Sequence, residues 1–137
     1  MKNSNINQCQ LIELNKVHNR AGNLTIVENH ISIPFSVKRI YYLYDVPSNA
    51  ERGGHAHKEL HQLIVAASGS FRITLNDGKQ VKSFFLNNPN IGLLIVPGIW
   101  RDLSEFSSGS VCLVLASMKY EAEDYIRDFQ EFQKYKK

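Results

Sequence analysis

Two histidines, His55 and His57, stand two residues apart in the run Glu51-Arg52-Gly53-Gly54-His55-Ala56-His57-Lys58. In a strand, residues i and i+2 project from the same face, so the two imidazoles converge on one spot. The glycines let the backbone turn tightly or let a ligand come close. Two imidazoles facing one pocket can ligate a metal, transfer protons, or pack as structural residues. An ordinary imidazole titrates near ~6.5, so it can take a proton and return it at neutral pH. Without a metal, one of the pair can act as base while the other orients or donates.

A metal site needs more donors than two. Metal-binding barrels of the cupin superfamily follow HxH with a Glu after three or four intervening residues, and with a later His. Here His61 and Gln62 occupy the Glu positions. The later segment Gly92-Leu93-Leu94-Ile95-Val96-Pro97-Gly98-Ile99-Trp100-Arg101 has no histidine after its proline. His61 could complete a three-histidine site with open positions. Proton transfer fits the residues better. Taken singly, His18, His30 and His61 read as hydrogen-bonded structural residues.

The elements that must position the pair are mostly strands. Leu11–Leu14, Leu24–Glu28, Val37–Tyr44, Gln62–Ala67, Ser70–Leu75, Gln80–Leu86, Leu93–Val96 and Val111–Ala116 are rich in β-formers and separated by turn residues. Asn76-Asp77-Gly78-Lys79 predicts a hairpin with a type I′ turn. One helix is expected over Glu121 to Tyr135, where Tyr125, Phe129 and Phe132 recur at three- and four-residue spacing. The pattern predicts an all-β sandwich or barrel with a short C-terminal helix, in one domain over residues 1–137. Phe71, Ile73 and Leu75 could face a core or a partner subunit.

The totals exclude several classes. Apolar residues make up 43% and charged residues 21%, as in a soluble globular protein. The net charge is +3, with Lys134, Lys136 and Lys137 at the C-terminus. No basic stripe with interleaved aromatics points to nucleic acid. Cys112 lies in an apolar run and Cys9 in a polar one, so no disulfide framework is implied. The N-terminus has no signal-peptide core, and the apolar runs are too short for a bilayer. A cytoplasmic location and no membrane partner are expected.

Three strings carry a resemblance: ERGGHAHKELHQLIVAASGSFRITLNDGK, LLIVPGIWRDLSEFSSGSVCLVLAS and YEAEDYIRDFQEF. They closely resemble the sugar-nucleotide 3,4-ketoisomerases of the cupin superfamily, from about Leu11 to Phe132. The RGGHAHK, PxxWR and DYIRDF motifs are specific together. The resemblance implies a single cupin jelly-roll (double-stranded β-helix) barrel without metal or cofactor. It implies conversion of dTDP-4-keto-6-deoxy-D-glucose to its 3-keto isomer, in lipopolysaccharide or other surface-glycan synthesis. It also implies a homodimer that exchanges N-terminal strands.

Moving a ketone from C4 to C3 removes the C3 proton, passes through an enediol and returns a proton at C4. His55 and His57 are expected to handle the carbon protons, with His55 as base. Tyr41 matches the family tyrosine that can relay the oxygen proton, since a phenol donates and accepts. Tyr42 or Tyr44 could carry that role instead, leaving Tyr41 a packed strand aromatic. Arg52 is the expected pyrophosphate ligand, because guanidinium binds phosphate in a forked geometry. Lys58 could assist it or simply be solvated. Arg101 should lie near the sugar, or form a surface salt bridge.

Many relatives carry Arg-Gly in the N-terminal turn, where this chain has Ala21-Gly22 after Arg20. Others carry His where Arg101 stands. Arg101 favours a gluco over a galacto product, and Ala21 weakens that inference. Two other functions compete. A 3,5-epimerase-like enzyme is disfavoured by the tight HxH and the lack of a separate downstream His–Asp pair. A non-catalytic sugar-nucleotide-binding cupin would bind without exchange at C3.

Overall fold

The computed structural model describes residues 2–137. Twelve strands follow one another: β1 (Gln10–Glu13), β2 (Asn15–Asn19), β3 (Gly22–Ile26), β4 (Arg39–Leu43), β5 (Arg52–His57), β6 (Gln62–Ser68), β7 (Phe71–Asn76), β8 (Val81–Leu86), β9 (Ile91–Ile95), β10 (Trp100–Ser104), β11 (Val111–Ala116) and β12 (Tyr125–Ile126). A single α-helix, α1 (Phe129–Tyr135), closes the described chain. The strands form two five-stranded sheets, ordered β1-β9-β6-β11-β4 and β12-β5-β10-β7-β8, and the separate hairpin β2-β3. Every pairing between these strands is antiparallel. This is the expected jelly-roll barrel.

Alternation sorts the side chains into layers. Phe71, Ile73 and Leu75 are fully buried in the main core between the sheets, with Ile64, Leu93, Ile95, Cys112 and Val114. Those three therefore face the core and not a partner. Cys9 is also buried there, although its neighbours in sequence are polar. Leu63, Val65, Leu94 and Leu115 point the other way and are covered by Leu14, Ile33 and Phe35. On the opposite sheet Ala56 and Trp100 are covered by Ile126 and Phe132.

Three local expectations are corrected. The hairpin at Asp77-Gly78 exists, but its turn is not type I′. That turn needs positive φ at two central residues, and only Gly78 has it, at 94°. Asp77 instead uses its carboxylate, accepting the N–H groups of Ile6, Lys79 and Gln80. The helix begins later than its spacing predicts. Ala122–Asp124 is a 3-10 turn, Tyr125–Ile126 pairs with His57 and Ala56, and Asp128 caps α1 by accepting from the Glu131 N–H. The pairing with β5 overrides the helical periodicity of Tyr125. The third correction is Trp100–Ser104, a strand that the polar Arg101-Asp102 concealed.

Candidate active site

The site is built on β5, whose glycines shape it. His55 pairs with Arg101 and Arg52 with Leu103, so Gly53 and Gly54 together stand opposite Asp102. This is a bulge, and Gly53 enters it at φ +74°, a conformation that disfavours any side chain. A Cβ on Gly53 would also crowd Leu103 at 3.2 Å. The bulge ends the strand's regular alternation just before His55 and His57.

The two imidazoles meet as the spacing predicts. His55 Nε2 lies 3.1 Å from His57 Nε2, with the rings perpendicular. His55 lines a cavity of about 500 Å³. His57 lies behind it with no exposed surface, and its Nδ1 sits 2.9 Å from Asp124 Oδ2. Tyr125 closes over both rings, at 5.1 Å from His55 and 4.4 Å from His57. Burial, reinforced by Arg101, Arg127 and Arg39, pushes His55 down to about 3. Burial and then Arg101 push His57 well below its ordinary value. Both are neutral at pH 7.

Tyr41 shares the cavity. Its oxygen accepts from Gln62 Nε2 at 3.0 Å, and Gln62 Oε1 accepts from Arg101. Arg101 is 1% exposed, which excludes a surface salt bridge. It also donates to the Ile99 carbonyl at 3.2 Å. Burial lowers its guanidinium only to about 10, so it stays cationic. Burial raises the Tyr41 phenol, against the pull of Arg101, and it keeps its proton at pH 7. The phenol O–H, having accepted from Gln62, remains a donor for the cavity. Tyr42 on β4 and Tyr44 just past its end are exposed and do not line it.

Four arginines line this space: Arg39, Arg52, Arg101 and Arg127. Among the described residues no Asp or Glu lines it. The modest net charge of the chain is thus concentrated where an anion would bind. Arg39 lies over the Tyr41 ring and donates to the Tyr125 hydroxyl at 3.3 Å, while its Nε is buried without a partner. Arg127 stacks on Tyr125 at 4.1 Å.

The expected residues thus divide. His55, Tyr41, Arg52 and Arg101 line one cavity, and His57 supports its wall. Lys58 does not join them. It is exposed on the outer surface, near Glu59, Glu121 and Tyr135. His61 also lies elsewhere, 6.2 Å from the Phe35 ring, so it does not complete a three-histidine set. Among the described residues no group of three His, Cys, Asp or Glu side chains is placed to hold a metal. Sequence reasoning missed Asp124, Gln62, Arg39 and Arg127 as site residues. Asp124 and Arg127 belong to the DYIRDF string, which the resemblance had singled out.

The family described as "FdtA: WxcM-like, C-terminal" matches residues 7–137. The chain belongs to this family. A TDP-4-oxo-6-deoxy-alpha-D-glucose-3,4-oxoisomerase of Aneurinibacillus thermoaerophilus is 40% identical over 126 residues, covering 92% of this chain and 91% of the relative. A mutant of the 3,4-ketoisomerase QdtA from Thermoanaerobacterium thermosaccharolyticum, solved with TDP-4-keto-6-deoxyglucose, superposes with a TM-score of 0.90 at 39% identity, covering 92% and 91%. The WlaRB TDP-quinovose 3,4-ketoisomerase of Campylobacter jejuni superposes at 0.88 with 44% identity, covering 92% and 97%. By family the chain is an isomerase of the 3,4-ketoisomerase type.

Proposed function

We propose that this protein converts dTDP-4-keto-6-deoxy-D-glucose to its 3-keto isomer by metal-free proton transfer. One observation carries the reading: a neutral, paired imidazole and a protonated phenol share a cavity lined by four arginines. The arginines suit a pyrophosphate, with Arg52, near the glycines, as its expected ligand. His55 takes the proton from C3, and the electron pair forms the C3–C4 double bond. Tyr41 donates to O4 as the enediol forms and accepts the proton leaving O3 as C3 becomes the ketone. The protonated histidine pair returns a proton at C4. Arg101 supports the phenol through Gln62 and favours the gluco product.

The exposed hairpin β2-β3 and the unpaired edge of β4 support a dimer with exchanged N-terminal strands. Val17 and Leu24 on the hairpin, and Ile40 and Tyr42 on β4, are at least 48% exposed in the single chain. Among the described residues no helix is long and apolar enough to cross a membrane. A single cytoplasmic cupin domain serving surface-glycan synthesis is the setting we assign.

The test is proton NMR of chelator-treated protein with dTDP-4-keto-6-deoxyglucose, run in D₂O to follow exchange and in H₂O to read the couplings. Appearance of a 3-keto sugar is expected, with the C4–C5 coupling reporting the configuration. Exchange at C5 in place of C3 would favour an epimerase. Binding without any exchange would leave a sugar-nucleotide-binding cupin.

A further inference from the structure

Three side chains form a hydrogen-bonded line leading away from the cavity. His55 Nε2 meets His57 Nε2 at 3.1 Å, and His57 Nδ1 meets Asp124 Oδ2 at 2.9 Å. The direction of these bonds is set at the far end. Asp124 Oδ1 accepts the Glu59 backbone N–H at 2.7 Å, and its carboxylate can only accept. His57 must therefore donate from Nδ1. A neutral imidazole has one N–H, so His57 Nε2 is a lone pair. It can only receive the N–H of His55 Nε2. His55 has then spent its single N–H inward and keeps a lone pair on Nδ1. The only hydrogen bond of the His55 ring among the described residues is the one through Nε2, and His55 lines the cavity.

We propose that Asp124 sets the tautomers of both histidines and so presents the lone pair of His55 Nδ1 to the substrate. Asp124 is a positioning residue, acting through His57. What that lone pair does rests on the ketoisomerase reading, whereas the tautomers do not. The neutral state of both rings, maintained by burial and Arg101, is what makes the direction of each bond definite. The backbone is fixed as well. Lys58 N–H donates to the Asp124 carbonyl at 2.9 Å, and Gly98 N–H to the His57 carbonyl at 2.7 Å.

Asp124→Asn tests this because it keeps the shape and reverses the direction. The Glu59 N–H still needs an acceptor, so the new amide oxygen stays with it. The amide nitrogen then faces His57 Nδ1 and donates. The His57 proton moves to Nε2 and is donated to His55 Nε2. The His55 proton moves to Nδ1, and the cavity meets an N–H where it had a lone pair.

The experiment is ¹⁵N NMR of histidine-labelled protein at neutral pH, paired with steady-state kinetics. Wild type should show His57 protonated at Nδ1 and His55 at Nε2. Asp124→Asn should show both reversed, with kcat lowered by about 100-fold or more and KM little changed. A wild-type spectrum with His57 protonated at Nε2 would overturn the assignment, and that test stands even if the variant does not fold. Unreversed tautomers in a folded variant would overturn it too. Reversed tautomers with full kcat would break the link to His55 as base. The expected wild-type tautomers in a protein without isomerase activity would instead refute the ketoisomerase reading alone.

Discussion

Acid should unfold this protein through its histidine pair. Burial, then Arg101, Arg127 and Arg39, hold His55 at about 3, and burial and Arg101 hold His57 down as well. Unfolding returns each imidazole to an ordinary value near ~6.5. Below that value the unfolded chain binds protons that the native protein does not, so stability falls as pH falls. The contribution is complete above about pH 6.5 and drains from there toward the folded value near 3 for His55. Between about pH 7 and about pH 5.5 each group loses about 1.25 kcal/mol, so the pair loses about 2.5 kcal/mol. That is a large part of the ~5–15 kcal/mol that holds a domain together. The interval lies above ordinary carboxylate titration near ~4, which isolates the histidines. His61 is also pushed down by burial, but it is partly exposed and contributes less. The assay is urea unfolding across this interval for wild type, His57→Asn and His61→Gln. Wild type should lose stability steeply, His57→Asn about half as steeply, and His61→Gln nearly as steeply as wild type. A flat wild-type profile, or a His57→Asn slope equal to wild type, would refute the account of a buried neutral pair.

Other outcomes follow from the same geometry. Tyr41→Phe should lower kcat by about 100-fold with little change in KM, because it removes only the proton relay. Arg127→Ala should raise KM by about tenfold or more, the worth of one charge-assisted phosphate contact. Lys58→Ala should leave KM unchanged, and a rise matching that of Arg127→Ala would place the nucleotide on the outer surface instead. Phe132→Ala should cost about 3–5 kcal/mol in denaturant unfolding, since the fully buried ring packs 5.7 Å from Trp100.

The histidine pair was legible because a strand has period two, and nothing tertiary intervenes between residues two apart. Most strands were legible for the same reason, as alternation and turn residues are local. The partners of the pair were not. Asp124 reaches His57 across 67 positions, and no local pattern marks that contact. Arg39, Arg52, Arg101 and Arg127 lie scattered along the chain and converge only when the two sheets face each other. Tyr125 shows why periodicity misled: its spacing to Phe129 suits a helix, but backbone pairing to His57 makes it a strand and turns its ring over the imidazoles. Arg101 was expected near the sugar, with a surface salt bridge as the alternative; it lines the cavity, buried against Gln62 and Ile99, and braces the phenol through Gln62. Conversely, the DYIRDF string marked the right segment while the expected helix misplaced it.

In the proposed mechanism His55 removes the C3 proton. Wild type and His55→Asn should be incubated in D₂O with dTDP-4-keto-6-deoxyglucose, with loss of the C3 proton signal followed by NMR and binding measured in parallel. Prompt exchange is expected in wild type, and none in a folded His55→Asn that still binds the nucleotide sugar. Exchange at the wild-type rate in His55→Asn would contradict it.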